Sequence, residues 1–191
     1  PRVAQYTSPP LREYVRVILK VGHHLHSASL PLLLAASEGK RTLEDGLRRQ
    51  GTIHQQFGLP LEGISLSGGA GTSRTDLLSP RAIVSLLRAM DGRPGAQAFE
   101  AALPVMGREG TVLDVLAPDS PARGHGRAHA GISWGEDATT GRLVLLSKAL
   151  AGYLETASGR DIVFAVIVNH VPTSGEMSNR TVTGLSAARL L

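Results

Sequence analysis

Histidine is the residue type in this chain best suited to binding a metal, and three of the seven histidines, His23, His24 and His26, lie together. His23 and His26 are three residues apart, a spacing that places two side chains on one face of a helix and is found among zinc and nickel ligands. No carboxylate follows at helical spacing, because Glu38 is the next acidic residue. The pattern therefore favours histidines on a helix surface and predicts no cofactor.

Nucleophilic catalysis needs a hydroxyl or thiol beside a base. Ser37 and Lys40 are the only pair with Ser-x-x-Lys spacing, in which the lysine lies one helical turn after the serine. The intervening Gly39 disfavours a rigid helical turn, so the segment is interpreted as a helix end with a C-terminal glycine. A Ser/His/Asp triad elsewhere stays open, although no nucleophile elbow of the Gly-x-Ser-x-Gly kind is predicted.

The glycine-rich segment Gly68 to Arg74 is a candidate phosphate loop. It lacks the Gly-Lys-Ser/Thr ending of a P-loop and the third glycine of the dinucleotide fingerprint. A tight turn that requires positive φ angles accounts for its glycines. The segment is therefore predicted to shape a loop rather than to bind phosphate.

Length and composition predict one globular domain over residues 1–191, with 42% hydrophobic and 19% charged residues. The net charge of +4 comes mainly from scattered arginines without aromatic neighbours, so nucleic-acid binding is not predicted. No stretch approaches the roughly 18 apolar residues of a membrane span. The first ten residues lack the form of a secretory signal, which predicts a mature, trimmed or partial chain. The absence of cysteine excludes disulfides and thiolate sites.

Helix signals dominate the chain up to about residue 115. Apolar residues at helical spacing predict one amphipathic helix with a stripe facing a core; they are Leu11, Val15, Ile18, Val21 and Leu25. Thr42 and Ser79 are hydroxyl residues that precede further helical patterns, and both are predicted N-caps.

Strand signals dominate residues 124–171. Two runs rich in bulky apolar residues, Ser147 to Glu155 and Asp161 to Asn169, flank a turn and predict antiparallel strands. A neighbouring edge strand begins near Arg127, and Trp134 to Arg142 is predicted to be a polar loop. The run Ile162 to Val168 is apolar throughout, which suits a central strand covered on both faces. Helices followed by an antiparallel sheet indicate the α+β class.

Several motifs resemble those of penicillin-binding D-alanyl-D-alanine carboxypeptidases of the low-molecular-mass class C branch. Lys20-Val21-Gly22-His23-His24-Leu25 resembles the family's Lys-Val-Ser-His-Asn-Leu, and Ala128-His129-Ala130-Gly131 resembles its Ala-Lys-Thr-Gly strand. The other matching segments are Ser8-Pro9-Pro10-Leu11, the loop Gly69 to Arg74, Phe99 to Pro104, Gly107 to Thr111 and Ala149 to Tyr153.

The resemblance implies a β-lactamase/transpeptidase-like fold. It comprises a helical part over about residues 8–115, a sheet over about residues 124–171 and the start of a terminal helix at about residues 183–191. It also implies that the chain is the C-terminal part of such a domain, without two N-terminal strands. Because an open edge on the Ile162 to Val168 strand would invite aggregation, an N-terminal segment, a second chain or rearranged early residues are expected to cover it.

The resemblance also implies which positions lie in the cleft. The family's reactive motifs fall on Gly22, His24, His129, Ala130 and Gly131, where the original serine, asparagine, lysine and threonine are replaced. The implied substrate-binding positions are Gly69, Gly71, Ser73, Ile132 and Ser133. His129 can serve as a cation only below pH of about 6.5.

The implied function is hydrolysis or binding of peptidoglycan stem peptides in the cell envelope, periplasmic or extracellular. Without a convincing Ser-x-x-Lys nucleophile, the chain is expected to be catalytically inactive and not to be acylated by β-lactams. Two alternatives remain: a non-catalytic peptidoglycan-binding or assembly protein, and a metal-dependent hydrolase with His24 and His129 as ligands.

Overall fold

The computed structural model describes residues 3–172, in which helices come first and long strands last. The helices are α1 (Leu11–Val21), α2 (His24–Ser37), α3 (Leu43–Gln56), α4 (Pro80–Met90) and α5 (Ala96–Ala102), with 3₁₀ turns at Leu61–Gly63 and Gly110–Val112. The strands are β1 (Ile64–Ser65), β2 (Leu77–Leu78), β3 (Gly126–Glu136), β4 (Leu143–Glu155) and β5 (Asp161–Pro172). This order agrees with the predicted α+β class.

The predicted single helix from Leu11 to Leu25 is wrong, because the chain turns a corner between α1 and α2. Gly22 adopts a left-handed conformation with φ of 67°, and its N–H donates to the carbonyl of Ile18. Glycine reaches this conformation without a steric penalty and so ends the helix. Ile18 is 9% exposed whereas Leu25, now in α2, is 75% exposed, so the five apolar residues do not form one buried stripe.

Helices α2 and α3 begin at identifiable caps and touch through their backbones. The Thr42 hydroxyl accepts a hydrogen bond from the N–H of Asp45, as the sequence predicted, and Ser79 caps α4 in the same way. Gly46 of α3 lies so close to α2 that a Cβ there would be 1.8 Å from the carbonyl oxygen of Pro31. A side chain at position 46 would therefore force the two helices apart.

The main sheet has the antiparallel order β3–β4–β5 and is longer than predicted. Because β3 continues to Glu136 and β4 begins at Leu143, the predicted loop from Trp134 to Arg142 is reduced to residues 137–142. The Asp137 N–H donates to the carbonyl of Arg142 and closes this hairpin. The register shifts between Ser133 and Trp134, where β4 has one extra residue.

The core lies between one face of this sheet and the segment after α5. Alternate residues of β3 and β4 share this face, as strand geometry requires. The buried cluster comprises Met106, Val112, Val115, Leu116, Ala128, Ala130, Leu150 and Leu154. The core thus fixes β3 against residues 106–116.

Strand β5 pairs only with β4 within residues 3–172, so in that range it is an edge strand rather than the predicted central one. Val163 to Val168 are half-buried, and α4 lies against the strand. Pairing of another segment with the free edge of β5 stays a prediction.

The predicted terminal helix at residues 183–191 lies outside the described residues. No helix in the described range has the length and apolar character needed to cross a membrane.

Candidate functional site

The side chain of His129 connects β3 to the corner between α1 and α2. Its Nδ1 lies 2.8 Å from the carbonyl oxygen of Leu19 and 3.4 Å from Oγ1 of Thr111. A Cβ on Gly22 would lie 3.9 Å from Cε1 of the same ring. A carbonyl oxygen can only accept, so Nδ1 carries the proton and Nε2 of the neutral ring has a free lone pair. The structure thus brings together two of the predicted site positions, Gly22 and His129.

The environment of His129 favours its neutral form. Burial lowers the pKa of the imidazole, the hydrogen bond to Leu19 raises it, and the charge of His24 lowers it again. The balance is a pKa below the ordinary value of 6.5. A lysine at this position would be charged at neutral pH, whereas His129 is not. The pH range in which His129 could serve as a cation is therefore lower than the sequence suggested.

Thr111 is a site residue that sequence reasoning missed. Its Oγ1 accepts a hydrogen bond of 3.1 Å from the N–H of Ala130 and contacts the ring of His129. The segment Gly107 to Thr111 matches a signature of the family, but this pattern does not indicate what the hydroxyl contacts. Thr111 fixes the outer edge of β3 beside the predicted cleft.

The remaining β3 positions divide between the core and the surface. The side chain of Ala130 is 6% exposed and belongs to the core cluster, so only its backbone faces the edge. Gly131, Ile132 and Ser133 are exposed. The letters from Gly131 to Gly135 do match Gly-x-Ser-x-Gly, a match that the sequence analysis overlooked. Because they lie inside a strand rather than at a strand-to-helix turn, Ser133 is not a nucleophile elbow.

The histidines at the start of α2 are arranged differently from the predicted helical pair. His23 is the N-cap of α2, and its Nδ1 accepts a hydrogen bond from the N–H of His26. The two rings stack at 3.9 Å, and Tyr14 stacks on His26 at 4.3 Å. His24 is exposed. Stacked rings do not converge on a common ion, and no group of three or more metal-ligand side chains occurs in residues 3–172.

The glycine-rich turn packs on the first turns of α2. A Cβ on Gly69 would lie 2.6 Å from the carbonyl oxygen of Ser27, and the Ser27 hydroxyl donates to the carbonyl of Gly69. Gly71 and Ser73 are exposed farther along, where the Ser73 N–H donates to Asp76. Gly69 therefore contacts the helix that begins at the corner, whereas the hydrogen bonds of Ser73 stay within its own loop.

The described lysines provide no serine–lysine pair within one helical turn. Ser37 is the last residue of α2 and donates to the carbonyl of Leu34, and Gly39 is left-handed before Lys40, which confirms the predicted helix end. Lys20 binds Glu109 and the carbonyl of Leu103. Lys148 lies on β4 opposite Ile132, where burial lowers its pKa.

Comparison with known proteins identifies the family of the chain. A model of the D-Ala-D-Ala carboxypeptidase 3 (S13) family matches residues 1–188. A D-alanyl-D-alanine carboxypeptidase of Actinomadura sp. (strain R39) is 27% identical over 172 residues, covering 87% of this chain and 30% of that protein.

Two solved structures share the fold. Penicillin binding protein 4 of Haemophilus influenzae, complexed with a β-lactam, superposes with a TM-score of 0.80 at 21% identity, covering 97% of this chain and 42% of that one. A class A β-lactamase of Bacteroides cellulosilyticus gives 0.66 at 15% identity, covering 93% and 60%. The chain thus spans well under half of its carboxypeptidase and penicillin-binding relatives. The β-lactamase/transpeptidase-like fold is confirmed, and the chain belongs to the D-Ala-D-Ala carboxypeptidase 3 (S13) family.

Proposed function

We propose that this chain forms the peptide-binding part of a D-Ala-D-Ala carboxypeptidase domain and that, by itself, it binds peptidoglycan stem peptides without hydrolysing them. The observation that carries the proposal is the neutral, half-buried imidazole of His129, which contacts the corner at Gly22 and lies where the resemblance implies the family's lysine. The setting is the cell envelope, periplasmic or extracellular.

The outer edge of β3 supports peptide binding. The N–H groups of Ala128 and Ala130 point away from β4, to Pro104 and Thr111. In an antiparallel pair, the backbone N–H and carbonyl groups of every second residue point to the same side of the strand. Those of Ile132 therefore also point away from β4. No hydrogen bond within residues 3–172 satisfies that N–H on its outer side. An extended peptide can pair there as an added strand.

The charges and nucleophiles around this edge argue against turnover. Acyl transfer needs an activated hydroxyl, a base and stabilisation of the developing oxyanion. His129 is neutral at pH 7 and supplies no cation, and no serine hydroxyl is hydrogen-bonded to its ring within residues 3–172. Lys40 follows Ser37 at Ser-x-x-Lys spacing, but α2 ends at Ser37, so the two residues do not share a helical turn. The edge can therefore hold a peptide backbone, while residues 3–172 contain no serine hydroxyl hydrogen-bonded to the side chain of a lysine or histidine.

Binding is tested with the 191-residue chain and a synthetic stem peptide ending in D-Ala-D-Ala, using isothermal titration calorimetry. Ile132→Pro removes the outward N–H and is tolerated on an edge strand, whereas Ile132→Val keeps the N–H and is the matched control. We expect Ile132→Pro to weaken binding by about tenfold, the effect of one hydrogen bond, and Ile132→Val to leave it within about twofold. Equal affinities of the two variants would exclude strand addition at this edge.

Catalysis is tested with a fluorescent penicillin at neutral pH, followed by denaturing electrophoresis. An active D-Ala-D-Ala carboxypeptidase serves as the positive control. We expect no covalent label on the 191-residue chain. A labelled band that survives denaturation would show that an acylable nucleophile is present and would overturn the inactive assignment.

We further propose that the free edge of β5 pairs with another segment, either an N-terminal region of a longer chain or a second chain. Exposed, long, apolar edges promote aggregation, and the half-buried run Val163 to Val168 has such an edge within residues 3–172. Hydrogen exchange tests this proposal: outward amides of β5 should exchange rapidly in the isolated chain and become protected in the complete assembly. Unchanged exchange in the assembly would contradict it.

A further inference from the structure

Two arginines outside the cleft, Arg108 and Arg123, lie on neighbouring segments, each against a glycine of the other segment. A Cβ on Gly124 would lie 2.5 Å from Nη2 of Arg108, and a Cβ on Gly107 would lie 2.9 Å from Cγ and 3.2 Å from Nη1 of Arg123. Arg108 thus lies against Gly124, which follows Arg123 in sequence. Arg123 lies against Gly107, which precedes Arg108. The missing side chains at positions 107 and 124 leave room for both guanidinium groups.

The two segments that carry these arginines are fixed by backbone hydrogen bonds. The N–H of Gly124 donates to the carbonyl of Met106 at 3.0 Å, and the N–H of Met106 donates to the carbonyl of Gly126 at 2.9 Å. Met106 is also part of the buried core. The arginines therefore extend from a rigid base, which lowers the entropy lost when they bind a ligand.

Neither guanidinium has a counter-ion in the part of the chain that the structure describes. Glu109, the nearest acidic neighbour in sequence, binds Lys20, and Asp114 and Asp119 on the intervening segment form no ion pair. Arg127 donates instead to the carbonyl of Leu103. Arg108 is exposed and Arg123 is half-buried, so neither residue is enclosed by the protein. The result is a fixed positive patch without an internal anion.

We propose that Arg108 and Arg123 form a binding site for a phosphate group, either free or as part of an anionic polymer. Each guanidinium is a planar fork that pairs with two oxygens at once. A carboxylate has two oxygens and is satisfied by one fork, whereas a phosphate offers oxygens to both. Gly126 is the first residue of β3 and bonds to Met106 beside the two arginines. It lies three positions before His129, which corresponds to about 10 Å along the strand. The phosphate site is therefore separate from the peptide edge, and neither proposal depends on the other.

The test is calorimetric titration of the 191-residue chain at constant ionic strength with inorganic phosphate, acetate and a glycerol phosphate oligomer. We expect phosphate to bind more tightly than acetate, and Arg108→Gln or Arg123→Gln to weaken phosphate binding by about tenfold. Arg81→Gln is the matched control, because Arg81 is exposed at the start of α4 and forms no ion pair in the described chain. Its phosphate affinity should stay within about twofold of the parent chain.

Further variants and ligands distinguish specific phosphate binding by Arg108 and Arg123 from non-specific electrostatic attraction. Arg108→Lys and Arg123→Lys keep the charge but lose the fork, so an intermediate loss of affinity supports the site even if a glutamine variant fails to fold. Tighter binding of the oligomer than of inorganic phosphate indicates a polymer, and equal binding indicates free phosphate; both support the site. Acetate binding as tightly as phosphate, or Arg81→Gln weakening it as much as Arg108→Gln, would overturn the proposal.

Discussion

Replacement of Gly46 by alanine should destabilise the chain, because α2 and α3 touch through their backbones at this position. The added Cβ would lie 1.8 Å from the carbonyl oxygen and 2.4 Å from the carbonyl carbon of Pro31. Backbone atoms cannot rotate aside as a flexible side chain can. Alanine gains about 0.5–1 kcal/mol over glycine in a helix interior, but overpacking typically costs about 1–3 kcal/mol and more when helices must separate. Because the clash is with backbone atoms, the cost should lie near the upper end of that range, about 3 kcal/mol, which leaves an expected net loss of about 2 kcal/mol.

Gly51 on the same helix provides the matched control, since no atom lies within 4 Å of a Cβ at that position. Gly51→Ala should therefore stabilise the chain by about 0.5–1 kcal/mol. Each kcal/mol corresponds to about 2–4 °C in the unfolding midpoint of a chain of this size. Thermal unfolding followed by circular dichroism should show a lower midpoint for Gly46→Ala and a higher one for Gly51→Ala. A Gly46→Ala midpoint equal to or above that of Gly51→Ala would refute the close packing of α2 on α3.

Three further predictions concern single side chains. Thr111→Val removes the acceptor for the Ala130 N–H and should cost about 1–3 kcal/mol in urea unfolding, whereas Thr111→Ser should retain most of the stability. Because burial lowers the pKa of His129 in the folded state, the unfolded chain binds the proton more readily. The stability from the neutral ring is thus present above the unfolded value of 6.5 and is lost as the pH falls through the folded pKa. Unfolding midpoints should therefore fall less steeply in acid for His129→Gln than for the parent chain. Hydrogen bonds from Thr140 and then Thr139 lower the pKa of Asp137 to about 2, so Thr140→Val should raise that pKa in an NMR titration.

Each of these expectations can fail in a distinct way. A Thr111→Ser chain as unstable as Thr111→Val would show that the hydroxyl is not the stabilising group. Parallel pH profiles for the parent chain and His129→Gln would show that the imidazole is not buried in its neutral form. An Asp137 carboxyl that titrates at its ordinary value in both chains would mean that the hairpin hydrogen bonds do not persist in solution.

The sheet was predictable because its signals are local. Continuous apolar runs on either side of a polar turn indicated β4 and β5, but their lengths were underestimated and β5 was predicted to be central rather than an edge strand. The additional residues at the start of β4, Leu143 to Leu146, are also apolar, and the Asp137 turn closes the hairpin just before them. The N-caps at Thr42 and Ser79 were also predictable, because each hydroxyl accepts a hydrogen bond from an N–H only three residues later.

The corner and the cleft were less predictable because their determinants are distant in sequence. The apolar spacing from Leu11 to Leu25 continues through Gly22, so periodicity alone did not reveal the break. Thr111 contacts residues 18 and 19 positions away, and His129 bonds to Leu19 across 110 positions. Contacts of this range depend on the whole fold, and no local pattern marks them.

The irregular pairing between Ser133 and Trp134 limits the length of ligand that β3 can hold. A bulge increases the local twist of a ladder and bends the strands that carry it. A guest backbone aligned beside Ile132 would diverge from β3 within one or two residues of that point. The strand addition proposed above would therefore favour the last few residues of a short peptide over the interior of a long one, and this preference for chain ends would follow from the twist of the strand itself.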